Sequence, residues 1–436
     1  MAYQGMYLLS AKISGIKNIR ECINLEFYKK TIDKNFDPEK YRVKGIFGEN
    51  GFGKTAIISA FGILRSLILD PGYLNNPENQ EYLSETINKA TKSFNITCEY
   101  LRGHNDKLVI YEYSVTLVKV GENYRIESER LRHRSGNSVK TQNVMSYSVK
   151  EGVIDYYYDK DKFDSIKIST MNLLSFSTLS SLILEKSEDR SEFDEVYYPL
   201  MIFAASIMPV LSKEDIHEIE LFKNVITKQY SDPERRDPEV RDIIDRLDIY
   251  GSVNSKIVHD YELSLFRKRV KDMETFIKLF KPDLIAIDIE TKQNGEDYIC
   301  DLNMNYGKYL INSEYESTGI RKLMSLYEAL RVAVNGGVVF IDEIDANINS
   351  IYLNTLIEYI MIYGKGQLCF TSHNTDIMNV LKDNKMSIDF LTREQKIVPW
   401  ISNGNRSPVS SYKNGLIEGI PFNIYPTDYV GMFGDY

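Results

Sequence analysis

The sequence predicts an α/β fold built around a phosphate-binding loop, with an antiparallel β lobe and an inserted helical region. Three observations predict it. A glycine-rich loop stands between a strand pattern and a helix pattern near residues 41–69, a wholly apolar strand runs into acids at 338–345, and three segments between 94 and 134 alternate apolar with polar residues.

The loop reads FGENGFGKT over residues 47–55. Gly48, Gly53, Lys54 and Thr55 fill the pattern G-x-x-x-x-G-K-[ST], with Asn50 and Gly51 inside the loop and Ala56 just beyond it. Glycines let backbone amides approach phosphate oxygens, the lysine reaches the β and γ phosphates, and the hydroxyl serves Mg2+. Average composition produces the four fixed positions by accident in roughly one or two chains in a hundred of this length. Context lowers that further: YRVKGIF before the loop is strand-like, and KTAIISAFGILRSLIL after it has helical spacing until Asp70, Pro71 and Gly72. Strand, loop and helix in that order aim a helix N-terminus at phosphate. ATP with Mg2+ is the ligand this predicts.

Composition bounds the rest. The 436 residues are 43% hydrophobic and 26% charged, as in an ordinary globular chain, and suffice for two or three domains or one domain with large insertions. A net charge of -9 opposes bulk attraction to nucleic acid, leaving only a local basic groove. The opening residues lack a signal-peptide pattern and no apolar run is long enough to span a bilayer, so the expected location is the cytoplasm, without a membrane partner. Cys22, Cys98, Cys300 and Cys369 lie far apart, which reads as reduced thiols and no zinc site.

Three segments are expected: 1–170 with the phosphate loop and β lobe, a helical insertion over 171–282, and 283–436 with the second half of the site. The insertion has breaks at 231–238 and 249–255. Its last helix places Leu263, Phe266, Val270, Met273, Ile277 and Phe280 inward and Arg267, Lys268, Arg269 and Lys271 outward. That basic face is either solvated or a nucleic-acid contact. Strand patterns follow from 283, then helix, strand, helix and strand in α/β alternation.

GGVVFIDEID, residues 336–345, is the apolar strand. Asp342 at its end suits Mg2+, held through water, and Glu343 suits the polarisation of an attacking water. QLCFTSHNTDI brings His373 to the end of another short strand, where it can sense a γ-phosphate. ESTGI at 316–320 starts a helix with Ser317 as N-cap and Gly319 without a side chain, which forms a second anion site. One chain has one phosphate loop, so the economical ligand of Ser317 and Gly319 is the nucleotide of another subunit.

Together these motifs resemble the ABC-type ATPases of the SMC and RecF class. The wording is closer still to bacterial ATPases of the overcoming-lysogenisation-defect and abortive-infection type, in which ESxG, DEhD, TSHN and a Y..G..G.IPF motif recur; here the last is YKNGLIEGIPF from Tyr412. The resemblance covers residues 7 to about 70 and 283–423. It implies an ABC-type P-loop head that forms an ATP-dependent head-to-head dimer, with two ATP molecules held between the phosphate loop of one subunit and Ser317 to Gly319 of the other. It implies slow ATP hydrolysis at Glu343 and a role in antiphage defence, with a phage protein or DNA as trigger and a separate nuclease or toxin as effector. Only 63 residues follow His373, too few for an appended nuclease domain of the kind some relatives carry.

Departures from the pattern carry expectations of their own. Phe52 stands where a small residue is usual, so its ring must turn away from phosphate; Ile320 replaces a polar residue; Asn349 and Ser350 stand where relatives have His-Pro. Gln80 and Gln142 are the candidates for a magnesium-contacting glutamine, although both read more simply as surface residues. Two other functions stay open: a RecF-like clamp on duplex DNA in genome maintenance, and a scaffold that holds ATP without hydrolysing it.

Overall fold

The computed structural model describes residues 3–104, 107–136, 140–148, 153–156, 194–211, 257–295, 297–384, 386–402 and 406–420, together with Ser138, Ser177 and Thr178. The breaks expected at 231–238 and 249–255, and the final Pro421 and Phe422 of the C-terminal motif, lie outside the described residues.

Strands β1 (Gly5–Ser14) and β2 (Ile23–Glu26) come first, then β3 (Val43–Phe47), α1 (Lys54–Leu69) and α2 (Pro77–Thr86). A run of strands follows: β4 (Ser93–His104), β5 (Lys107–Val120), β6 (Asn123–Ser135), β7 (Gln142–Ser148) and β8 (Val153–Tyr156). Next are α3 (Asp194–Ser206), β9 (Ile207–Val210), β10 (Ile257–His259), α4 (Leu263–Lys278), β11 (Ala286–Asn294), β12 (Asp297–Asn305) and β13 (Leu310–Asn312). The last part is α5 (Thr318–Val334), β14 (Val338–Ile341), α6 (Ser350–Tyr363), β15 (Gln367–Ser372), α7 (Ile377–Leu381), β16 (Ile388–Leu391), β17 (Ile397–Pro399) and α8 (Pro408–Lys413).

These strands make three sheets, of order β2-β1-β4-β5-β6-β7-β8, β10-β12-β11 with β13 beside β12, and β17-β16-β3-β15-β14-β9. The first is antiparallel throughout, as the alternation at 94–134 predicts, and it extends to include β1. In the third, β16, β3, β15, β14 and β9 are parallel, so their carboxyl ends share one edge. The strand leading into the phosphate loop and the strand leading into the acids flank β15. Ligands of open α/β sheets bind at such an edge.

Helix α1 is buried at every described position except Thr55. A helix apolar all round needs cover on both sides, and α1 has it between the parallel sheet and the antiparallel lobe. Phe61 of α1 stacks on Phe340 of β14 with centroids 3.7 Å apart, while Phe203 of α3 stacks on Tyr100 of β4 at 4.0 Å. A buried amide ties the two sheets: Gln367 Oε1 accepts the Leu8 N–H at 2.6 Å and Gln367 Nε2 donates to Leu8 O at 2.9 Å, at the bulge in β1. On the opposite face, Leu326, Ala329 and Leu330 of α5 pack on the parallel sheet together with α6 and α7. Ile320, Leu323 and Met324 of the same helix pack against α4, β11 and β12.

Two features differ from the expectations for 171–282. Ile207–Val210 is a strand, paired in parallel with Val338–Ile341 at the edge of the core sheet. Four apolar residues directly after a helix have no period of their own, and Pro209, lacking an N–H, is tolerated because only one side of β9 is paired. Arg269, read as part of an outward basic face, is 2% exposed. Burial pushes its guanidinium down to about 10, Arg331 adds to that, and the Glu328 carboxylate opposes it. Arg267, Lys268 and Lys271 are exposed as expected.

Candidate functional site

The phosphate loop leaves β3 at Phe47 and enters α1 at Lys54. Its backbone turns on Gly51 at φ 81° and Gly53 at φ 111°, both in the region that glycine adopts without strain. At Gly53 there is a second reason for glycine: a Cβ would lie 2.7 Å from Asn18 Oδ1 and 2.9 Å from Ile19 Cγ1. Asn18, in the turn after β1, donates from Nδ2 to Gly51 O and so clasps the loop from outside. Phe52 is partly buried and packs against the core shared by α1 and the β lobe.

Lys54 is 6% exposed and donates to Gly48 O at 2.8 Å and Glu49 O at 3.0 Å. Burial lowers its pKa, while Asp342, Glu343, Asp345 and Glu49 raise it. The two halves of the site, about 290 residues apart in sequence, meet at one sheet edge because β3 and β14 both pair in parallel with β15. Beneath the loop, Lys44 of β3 and Asp389 of β16 form a buried ion pair at 2.7 Å; burial pushes the Asp389 carboxyl up and Lys44 pulls it back.

Asp342 is buried at the end of β14, with its N–H on Val210 O at 2.9 Å. Thr371 of β15 donates its hydroxyl to Asp342 Oδ1 at 2.6 Å, and the Thr371 Oγ1 in turn accepts the Glu343 N–H at 2.8 Å. One hydroxyl thus aligns both acids. Glu343 is exposed, with φ 46°, a left-handed conformation that costs a non-glycine residue energy and persists where its surroundings impose it. Asp345 Oδ1 is buried without a hydrogen-bond partner among the described residues.

His373 follows β15 directly and is exposed at the same edge. The next residue, Asn374, donates to Ser350 Oγ at 3.0 Å, tying the loop after β15 to the start of α6. Asn349 caps α6 by accepting the Ile351 N–H at 2.9 Å, which gives it a structural reason of its own.

Ser317 caps α5, its hydroxyl accepting the Ile320 N–H at 3.4 Å. Ile320 is apolar because it packs into the core under β11 and β12. A Cβ on Gly319 would sit 3.0 Å from Asn347 O, so the helix start rests on the loop that follows Asp342. Lys322, one turn further, donates to Asp342 O at 3.2 Å. Ser317 therefore shares the sheet edge with the phosphate loop of its own chain but stands beside β14, with β15 between that strand and β3.

Sequence reasoning missed Asn18, Thr371 and Asn374, which hold the loops rather than line a motif. Neither glutamine candidate is near the acids by any contact seen. Gln80 is half-buried and structural: it donates to Leu74 O and Tyr124 O and accepts the Tyr124 N–H, joining α2 to β6. Gln142 meets His133 at 3.1 Å on the β lobe.

Scans against protein-family models and against curated proteins return no match. Among solved structures, the chain is similar to the SMC head bound to the C-winged-helix domain of ScpA. Identity is 13% over 90% of this chain and 97% of that one, with a TM-score of 0.38. At that level the site's own geometry carries the reading. The described residues contain no helix long and apolar enough to cross a membrane.

Proposed function

We propose that the protein is an ATP-binding and ATP-hydrolysing ABC-type ATPase that works as an ATP-gated head-to-head dimer. The observation that carries this is the shared carboxyl edge of the parallel sheet, where the phosphate loop leaves β3 and the acids leave β14 on either side of β15. Lys54 exchanges its two loop carbonyls for the β and γ phosphates of ATP, while Gly48, Asn50, Gly51, Gly53 and Ala56 present backbone to the phosphate chain. The donor set fits Mg2+: the Thr55 hydroxyl and the Asp342 carboxylate are hard oxygen ligands, and Mg2+ keeps its remaining sites for water and phosphate. Bound there, it neutralises phosphate charge. Glu343 accepts a proton from the attacking water, and His373 hydrogen-bonds the γ-phosphate.

Ser317 and Gly319 complete the site of a second copy in this reading, and segments 1–170 and 283–436 are two halves of one head around the 171–282 insertion. The ESxG, DEhD and TSHN wording supports antiphage defence, with the ATPase controlling a separate nuclease or toxin after a phage protein or DNA is sensed. With Arg269 buried, the basic face of α4 is weaker support for a DNA clamp.

The test is Mg2+-dependent ATP hydrolysis, together with native mass spectrometry of tagged protein expressed from its own operon. An ATP-dependent dimer carrying a second encoded protein is the expected result; a bare dimer holding nucleic acid would instead favour the clamp. Ser317→Arg should leave ATP binding by a lone subunit intact and lower turnover on the order of a hundredfold by blocking closure. Unchanged turnover would refute the shared site. Thr371→Val should lower kcat about 10- to 100-fold while ATP affinity without Mg2+ stays level, because it removes only the hydroxyl that orients Asp342 and Glu343. Equal losses in both would point to a collapsed loop.

A further inference from the structure

We infer that the β lobe carries a second ligand site, for a small polyanion bearing several phosphate or carboxylate groups. A cavity of about 550 Å³ opens where the β2–β3 connection passes the β5 and β6 ends. Its lining brings together Lys34, Lys107, Arg134 and Lys140, with His133 beside them and Asp33 as the one carboxylate among the described lining residues. On a chain of net charge -9 this is a local reversal of sign.

The cations differ in how committed they are. Arg134 Nη2 holds Glu99 at 2.7 Å and its Nη1 donates to Ser138 O, which fixes the guanidinium in the wall. Lys34, Lys107 and Lys140 have no carboxylate partner among the described residues, and all three are exposed. Asp33 is occupied by a turn, its Oδ1 accepting the Asn35 N–H at 2.7 Å. Among the described residues, three ammonium groups without an ion-pair partner therefore line one cavity that holds a single carboxylate, Asp33.

The floor is built rather than incidental. Gly136 N–H bonds Leu108 O at 2.8 Å, and a Cβ at Gly136 would press on Ile32 at 3.2 Å and on Leu108 at 3.3 Å, so the connection lies directly on the strand ends. The site is also separate from the phosphate loop. Strand β1 spans them: Gly5 pairs with Gly103 at the cavity end, and Asn18 just beyond Ser14 clasps Gly51 at the other. Ten residues of strand set the two about 30 Å apart.

Size and lining select the ligand class. The volume falls in the range of small-molecule pockets, and the described lining has no Phe, Tyr or Trp; its one aromatic ring, His133, is tied to Gln142 at 3.1 Å. Recognition then rests chiefly on anionic groups.

The experiment is a calorimetric titration of full-length Lys54→Ala protein, whose phosphate loop is disabled, with sodium tripolyphosphate at low salt. One equivalent is expected to bind, at least about tenfold more weakly after Lys107→Glu with Lys140→Glu and equally well after Lys268→Glu, an exposed charge elsewhere. Should the double reversal impair folding, Lys107→Gln with Lys140→Gln asks the same question, and a weakening there also supports the site. No binding, or binding indifferent to the pocket substitutions, overturns the proposal. So does an oligothymidylate that binds the pocket with steep salt dependence and excludes tripolyphosphate, which would make the surface a nucleic-acid contact.

Discussion

Lys54→Ala is expected to weaken ATP binding on the order of a hundredfold or more, with little loss of thermal stability. The ammonium is nearly enclosed and makes two hydrogen bonds inside the loop. More consequentially, Asp342, Glu343, Asp345 and Glu49 all act on its charge, with Lys322 also present at the Asp342 carbonyl. Without Lys54, a triphosphate entering the loop meets those acids with one balancing cation fewer, so the variant loses an attraction and retains a repulsion. Fluorescent-nucleotide binding beside a thermal melt separates these effects from unfolding. Wild-type affinity in a folded variant would end the assignment of residues 48–55 as a phosphate loop.

The parts of the fold that were legible are those whose signal is local. Residues 47–55 state their backbone in glycines, Val338–Ile341 is too apolar for anything but a covered strand, and Ser317 announces a helix start by its type and place. What was not legible depends on partners distant in sequence. Ile207–Val210 becomes a strand because Val338–Ile341 offers it hydrogen bonds, and nothing inside IMPV says so. Arg269 is one of several basic residues in a helical stretch, and only the packing of α4 beside α5 distinguishes it from its exposed neighbours. Thr371 sits in an unremarkable apolar strand; its role exists only once β14 and β15 lie side by side and bring Asp342 within 2.6 Å. Motifs name the groups that touch a ligand, while the groups that aim them are set by register.

Glu343→Gln should retain ATP binding, lose turnover by about 10²- to 10³-fold and accumulate the closed dimer. The amide keeps the size of the carboxylate, and the backbone N–H still bonds the Thr371 hydroxyl, so the left-handed turn at residue 343 is preserved. What disappears is the proton acceptor. Because Asp342 and Lys54 are untouched, the nucleotide and its Mg2+ remain held, and a subunit pair that needs hydrolysis to part has no route to do so. Size-exclusion chromatography with light scattering, with and without ATP, reads the dimer directly, and a phosphate-release assay reads turnover. A monomeric variant with wild-type turnover would remove Glu343 from its role. Lost turnover without an ATP-dependent dimer would keep Glu343 as the base and remove the second subunit from the site, a division that Ser317→Arg tests from the other side.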